Sequence, residues 1–144
     1  EPLNSNTSLQ AFVDDLNDLL EHGVLISGTQ LEVRLGALIC DAPAKAYVLS
    51  IVHHNGYFSC TKCTAEGEAL NRRQCFPEMN AELRTNESFR TRKQEEHHRG
   101  TTLLETLPID LIRQVPLDYM HLVLLGVMKK LLLLWLKGPK KYRL

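Results

Sequence analysis

Leu117, Met120, Leu124, Met128, Leu131, Leu132 and Trp135 form one apolar stripe at helical spacing near the end of the chain. A helix of that character must be packed against something. Lys129 and Lys130 split the surrounding apolar stretch, His121 to Leu136, into runs far shorter than the ~20 residues a bilayer span requires. The expectation is therefore a buried helix with no membrane span, ended by Gly138-Pro139. From Tyr119 to Leu144 the only charged side chains are Lys129, Lys130, Lys137, Lys140, Lys141 and Arg143, which makes this end a local basic patch.

The rest of the chain must supply the packing partner. Its 144 residues, 44% hydrophobic and 24% charged, suffice for one core. Opening on Glu1 rather than Met, the chain reads as an excerpt of a longer protein. Seventeen basic and 17 acidic side chains cancel, so the chain lacks the overall cationic excess of an autonomous nucleic-acid-binding domain. There is no hydrophobic signal segment, and the spacing of Cys60 and Cys63 suits a metal better than a disulfide. An intracellular, reducing compartment follows as the expectation.

Between Ser8 and Gly23, Leu9, Phe12, Val13, Leu16, Leu19 and Leu20 repeat at helical spacing, opposite Asp14, Asp15, Asn17, Asp18 and Glu21. Thr7 or Ser8 is the expected cap and Gly23 the expected stop. After a Ser27-Gly28 turn, the pattern from Leu31 to Cys40 predicts a strand that ends at Asp41. Ala42-Pro43 then starts a second helix, expected to reach about His54. Tyr57-Phe58-Ser59 leads as a short strand into a tight Cys60-Thr61-Lys62-Cys63 knuckle. Residues 64–102 carry seven acids and seven bases with few large apolar groups, so they predict an insertion or long excursion without a core of its own. The expected organisation is a partial catalytic core at 1–63, a polar Cys/His-containing insertion at 64–102 and a helical segment returning to the core at 103–144.

Three constellations could carry chemistry. Asp41 stands where a strand becomes a helix, the edge at which α/β sheets place reactive groups, and its carboxylate could hold a divalent metal or simply cap the helix. Cys60 and Cys63 supply half of a tetrahedral zinc site, for which Cys75, His97 and His98 are the candidate completing ligands; two free thiols beside a loop are the plainer alternative. Asp118 and His121 share one helical face, either as a cap and an internal hydrogen bond or as direct or indirect metal ligands. His53 and His54 are assigned no chemistry. The chain has no Gly-rich phosphate loop, Gly-x-Ser-x-Gly elbow or His-Glu-x-x-His helix.

Cys40-Asp41-Ala42-Pro43-Ala44-Lys45-Ala46, followed by Gly56-Tyr57-Phe58-x-Cys60-x-x-Cys63-Thr64-x-Glu66-Gly67-Glu68, resembles transposase-derived proteins related to the CACTA (En/Spm-like) superfamily. His97-His98-x-Gly100, Leu107-Pro108-Ile109-Asp110 and Pro116-Leu117-Asp118-Tyr119-Met120-His121-Leu122-Val123 extend the resemblance in the same order, from Leu31 to Gly138. Gly100-Thr101-Thr102 departs from it where a proline-containing stretch is expected. The resemblance implies a partial ribonuclease-H-like α/β fold, helix-strand-helix around Asp41, in a nuclear protein of a mobile element that acts on DNA and forms a possible homo-oligomer. It implies two aspartates and a glutamate that hold Mg2+ or Mn2+ for DNA cleavage and strand transfer. Asp41 matches the second aspartate, while the first aspartate and the glutamate have no counterpart between Glu1 and Leu144, so this stretch alone is expected to be inert. Asp118 and His121 match an Asp-x-x-His element, and Cys60 and Cys63 a Cys-x-x-Cys element for which structural Zn2+ is the implied role. The alternative is a domesticated, catalytically dead module that binds DNA or protein.

Overall fold

Helix α1 (Ser5–His22) opens the fold, in a computed structural model that describes residues 4–71 and 73–143. It buries Val13 and Leu16 and leaves its acidic face in solvent. Asn4, rather than Thr7 or Ser8, caps it by accepting from the Asn6 N–H at 3.1 Å. The earlier start has a tertiary cause: the Asn6 amide donates to the Thr101 carbonyl at 3.1 Å and accepts from the Leu103 N–H at 2.9 Å. Gly23 ends the helix with φ 71°, and a Cβ there would lie 2.2 Å from the Leu31 carbonyl oxygen.

Two small antiparallel hairpins follow different parts of the chain. β1 (Val24–Ile26) pairs with β2 (Thr29–Leu31) across Ser27 and Gly28, both at positive φ. β3 (Glu68–Leu70) pairs with β4 (Arg73–Cys75). The strand expected from Leu31 to Cys40 is realised only at its two ends: β2 stops at Leu31, and extended pairing resumes at Leu38. There Leu38 N–H donates to the Gln114 carbonyl at 2.7 Å, Cys40 N–H to Pro116 at 3.2 Å and Asp118 N–H to Cys40 at 2.7 Å, a parallel bridge with Cys40 opposite Leu117. Tyr57-Phe58-Ser59 forms no strand.

Helix α2 (Ala42–Val48) is shorter than the expected run to His54. Ser50 turns to φ 52°, and the chain leaves the helix to place Ile51 in an antiparallel bridge with His98. Helix α3 (Asn86–Arg90) is a single turn closed by a reciprocal Thr85–Ser88 capping box. Short 3-10 turns at Glu95–His97 and Leu103–Thr106 complete the body.

The core gathers Leu49, Phe89, Leu104, Leu107, Leu111 and Val115, each at most 1% to 2% exposed, with Val13, Leu16 and Ala46 from the helices. Much of it is supplied by 103–116, a segment without strands, so its carbonyls need other partners. Long cations provide them. Arg90 donates to Leu107 and Ile109 at 3.1 and 2.9 Å and also to Glu105; Lys62 donates to Ile112 at 2.8 Å; buried Lys45 donates to Val115. Burial, before the neighbouring Lys62 charge, brings the Lys45 ammonium down to about 8.

The C-terminal stripe departs most from expectation. It is helical, as a π-helical segment Met120–Met128 running into α4 (Lys129–Lys137), and Gly138 ends it. Yet none of its residues is buried, and Leu122, Leu125, Leu132, Leu133 and Leu136 face solvent. The buried core is supplied instead by α1, α2 and the 103–116 segment. The described residues thus form a mixed α and β arrangement with two small antiparallel sheets and one parallel bridge. Among them no helix is long and apolar enough to cross a membrane.

Candidate functional site

The parallel bridge decides where the acids emerge. Cys40 and Leu117 are paired, so the next residue on each segment, Asp41 and Asp118, stands at the same C-terminal end of the pair. Both line one cleft of about 650 Å3, closed on one side by the start of α2 and on the other by the π-helical segment. His121, His54 and Lys130 reach the same cleft, against apolar walls from Pro43, Leu122 and Val127.

Each carboxylate is already oriented. Asp41 Oδ1 accepts from the Ala44 N–H at 2.7 Å, the capping arrangement weighed from the sequence, while Oδ2 has no hydrogen bond among the described residues. Asp118 Oδ1 accepts from the Met120 N–H at 3.0 Å, and Oδ2 accepts from His121 Nδ1–H. The His121 bond first, then the Met120 N–H, hold the Asp118 carboxyl below its ordinary value, so it stays ionised. Two anionic oxygen donors with room between apolar walls suit a hard cation that also keeps water or phosphate ligands.

The cysteine region is only half assembled. Cys60 and Cys63 approach to 3.3 Å between sulfurs, and the Arg84 guanidinium donates to the Cys60 carbonyl at 2.9 Å. Burial pushes the Cys60 thiol up, but the Lys62 and Cys63 N–H groups, the Cys63 thiol and the Arg84 charge together carry it below its ordinary value. Cys63 is pushed up, by burial first. Of this pair Cys60 is the readier thiolate, the form that binds metal.

Cys75 lies on β4 opposite Glu68, His97 is buried in the core, and His98 is half-buried beside it. His97 is fully buried, donates from Nδ1 to the Phe58 carbonyl at 2.6 Å, and leaves Nε2 without a partner; both ring nitrogens of His98 are likewise buried and unpartnered. Phe89 packs edge-on to both rings, at 6.2 Å from His97 and 4.7 Å from His98. Among the described residues no group of three or more Cys, His, Asp or Glu side chains is placed to hold a metal. The structure therefore joins Asp41 with Asp118 and His121 in one cleft and Cys60 with Cys63 in one knuckle, and it does not gather Cys75, His97 and His98 onto those thiols.

Sequence reasoning passed over His54 and Lys130. His54 was placed at a helix end; the early stop of α2 carries it round to the cleft instead. In the sequence Lys130 counts only as one cation of the local basic patch. A comparison with known protein families finds no match, and the same holds for curated proteins and for solved structures.

Proposed function

We propose that this chain is part of the catalytic domain of a DNA transposase with a ribonuclease-H-like core, and that the Asp41–Asp118 cleft is its metal-dependent strand-cleavage site. The observation that carries the reading is the parallel bridge of Cys40 with Leu117, which brings two aspartates to the same end of that bridge and into one cleft. Asp41 and Asp118 would hold Mg2+ or Mn2+, Asp41 through its unbonded Oδ2. A divalent ion bound there would polarise a phosphodiester and lower the pKa of an attacking water. His121 fixes the Asp118 carboxylate in place, and Lys130 brings positive charge to the cleft for a DNA phosphate. The resemblance implies a nuclear protein.

Titrating Mn2+ into the chain while following the His54 and His121 ring protons by NMR tests the cleft directly. Both signals are expected to broaden before that of His22, and Asp41→Asn or Asp118→Asn should each weaken the effect about tenfold or more. Uniform broadening of all histidines, or no loss in either variant, would sink the metal assignment.

A second reading is a domesticated, catalytically dead DNA- or protein-binding module with structural Zn2+. It is favoured by the lack of any third acid in the cleft among the described residues and by the convergence of Cys60 with Cys63. The two readings part on the longer protein: cutting of a DNA substrate with Mn2+ sustains the first, binding without cutting the second. For the zinc itself, Cys60→Ser is expected to lower the zinc content of the purified protein and to speed proteolysis within 64–102. Equal zinc content in both proteins would remove Cys60 as a ligand.

A further inference from the structure

The two ends of the chain carry opposite, unmixed charge. From Glu1 to Val33 there is no Lys or Arg, and the acids Asp14, Asp15, Asp18 and Glu21 crowd the outer side of α1. From Tyr119 onward there is no acid, and six cations lie on and beyond α4. Among the described residues Asp15 and Glu21 make no ion pair, Asp18 pairs only with exposed His22 at 3.1 Å, and no cation of the C-terminal helix meets a carboxylate.

Both surfaces are also apolar between their charges. On α1, Phe12 and Leu19 flank Asp15 at helical spacing and stay 41% and 37% exposed. The adjoining hairpin adds Leu25 and Ile26, at 66% and 53%. On the C-terminal helix Leu122, Leu125, Leu132, Leu133 and Leu136 are exposed, while Leu131, Leu134 and Trp135 are half-buried. An exposed leucine face of that extent is not a stable solvent surface. Among the described residues, the acidic and apolar surface of α1 and β1 is complementary in charge to these lysines set among leucines.

We propose that the C-terminal helix of one copy docks on the α1–β1 surface of a second copy, with leucines supplying the buried area and the opposed charges the register. Charge pairs at a rim contribute mainly partner choice and association rate, while the apolar centre supplies affinity. Opposed charges also explain why the contact is head to tail: two C-terminal helices would set lysine against lysine.

Sedimentation velocity over a concentration series tests it with two charge-reversed triples on exposed side chains. One is Lys129→Glu, Lys137→Glu and Lys140→Glu; the other is Asp15→Lys, Asp18→Lys and Glu21→Lys. The unmodified chain is expected to exceed the mass of one chain and to fall towards it as salt is raised. Each triple alone should sediment as a monomer. An equal mixture of the two should associate again, because each then presents the charge the other needs. A chain that stays monomeric at all concentrations, or an Asp/Glu triple that still self-associates, overturns the proposal; so does binding of the monomeric chain to anionic vesicles in place of self-association.

Discussion

Phe89→Ala is expected to lower the stability of this protein by about 3–5 kcal/mol, the range for emptying a fully buried aromatic site. Phe89 is 1% exposed, belongs to the same cluster as Leu49, Leu104 and Leu107, and stands edge-on to His97 and His98. Position adds to size. Residues 64–102 are rich in charge, and Phe89 is the large apolar side chain by which they enter the core. The single turn of α3 that carries it has five residues, too few to persist without tertiary contact. Losing the ring should also slacken the Arg90 bonds to Leu107 and Ile109, which sit one residue away. Urea unfolding would read the loss as a lower midpoint, and limited proteolysis should cut 64–102 sooner. Phe89→Leu, which keeps most of the volume, should cost no more than about 1.5 kcal/mol. Equal loss in both variants would mean that the ring edge against the histidines, rather than the filled volume, is what matters.

How far the fold could be read from the chain depends on the range of the interaction that decides each element. Helix α1 was legible because its spacing and Gly23 are local, and it forms as expected. Its first residue was not, because Asn6 is held by Thr101 and Leu103 at the far end of the sequence. The strand before Asp41 follows the same rule. Alternation from Leu31 onward describes a chain able to extend, but the partner is 114–118, where Pro116 cannot donate, and pairing is confined to a few residues. The C-terminal stripe carries a true helical period and a false inference. Periodicity shows that one face wants burial; it cannot show that other leucines of 103–116 have already filled the core.

The candidate site divides in the same way. Asp41 could be singled out because a strand-to-helix edge is written in adjacent residues, and its capping bond to Ala44 is the local outcome weighed beside the metal one. Asp118 and His121 could be paired because three residues on a helix share a face, and the bond between them forms. That Asp41 and Asp118 meet depends on the Cys40–Leu117 register, which no local pattern encodes. Cys60 and Cys63 meet because a two-residue knuckle permits little else. Cys75, His97 and His98 share only composition with them, and the core claims His97.

That claim has a measurable result: the protein is expected to lose about 3 kcal/mol of stability as pH falls from 6.5 to 4. Burial, only partly offset by the bond to Phe58, brings His97 down to about 4, with Arg84, His98 and Lys45 adding repulsion. His98 is lowered as well, by burial first and then by Arg92 and Arg84. A histidine whose folded value lies below its unfolded one takes up its proton more readily in the unfolded chain across that interval. Stability therefore rises with pH through the window and levels off above the ordinary histidine value near ~6.5. Carboxylates such as Asp118, held below their ordinary value, act lower on the scale: their contribution is lost as pH falls from the usual carboxylate range through the folded value. The two sources therefore separate by pH. Urea midpoints measured from pH 7 to pH 3 should show an upper step that His97→Gln flattens, since the amide keeps a donor for Phe58 and has nothing to titrate. An upper step unchanged in His97→Gln would move the effect to His98, and the His97 imidazole would no longer account for it.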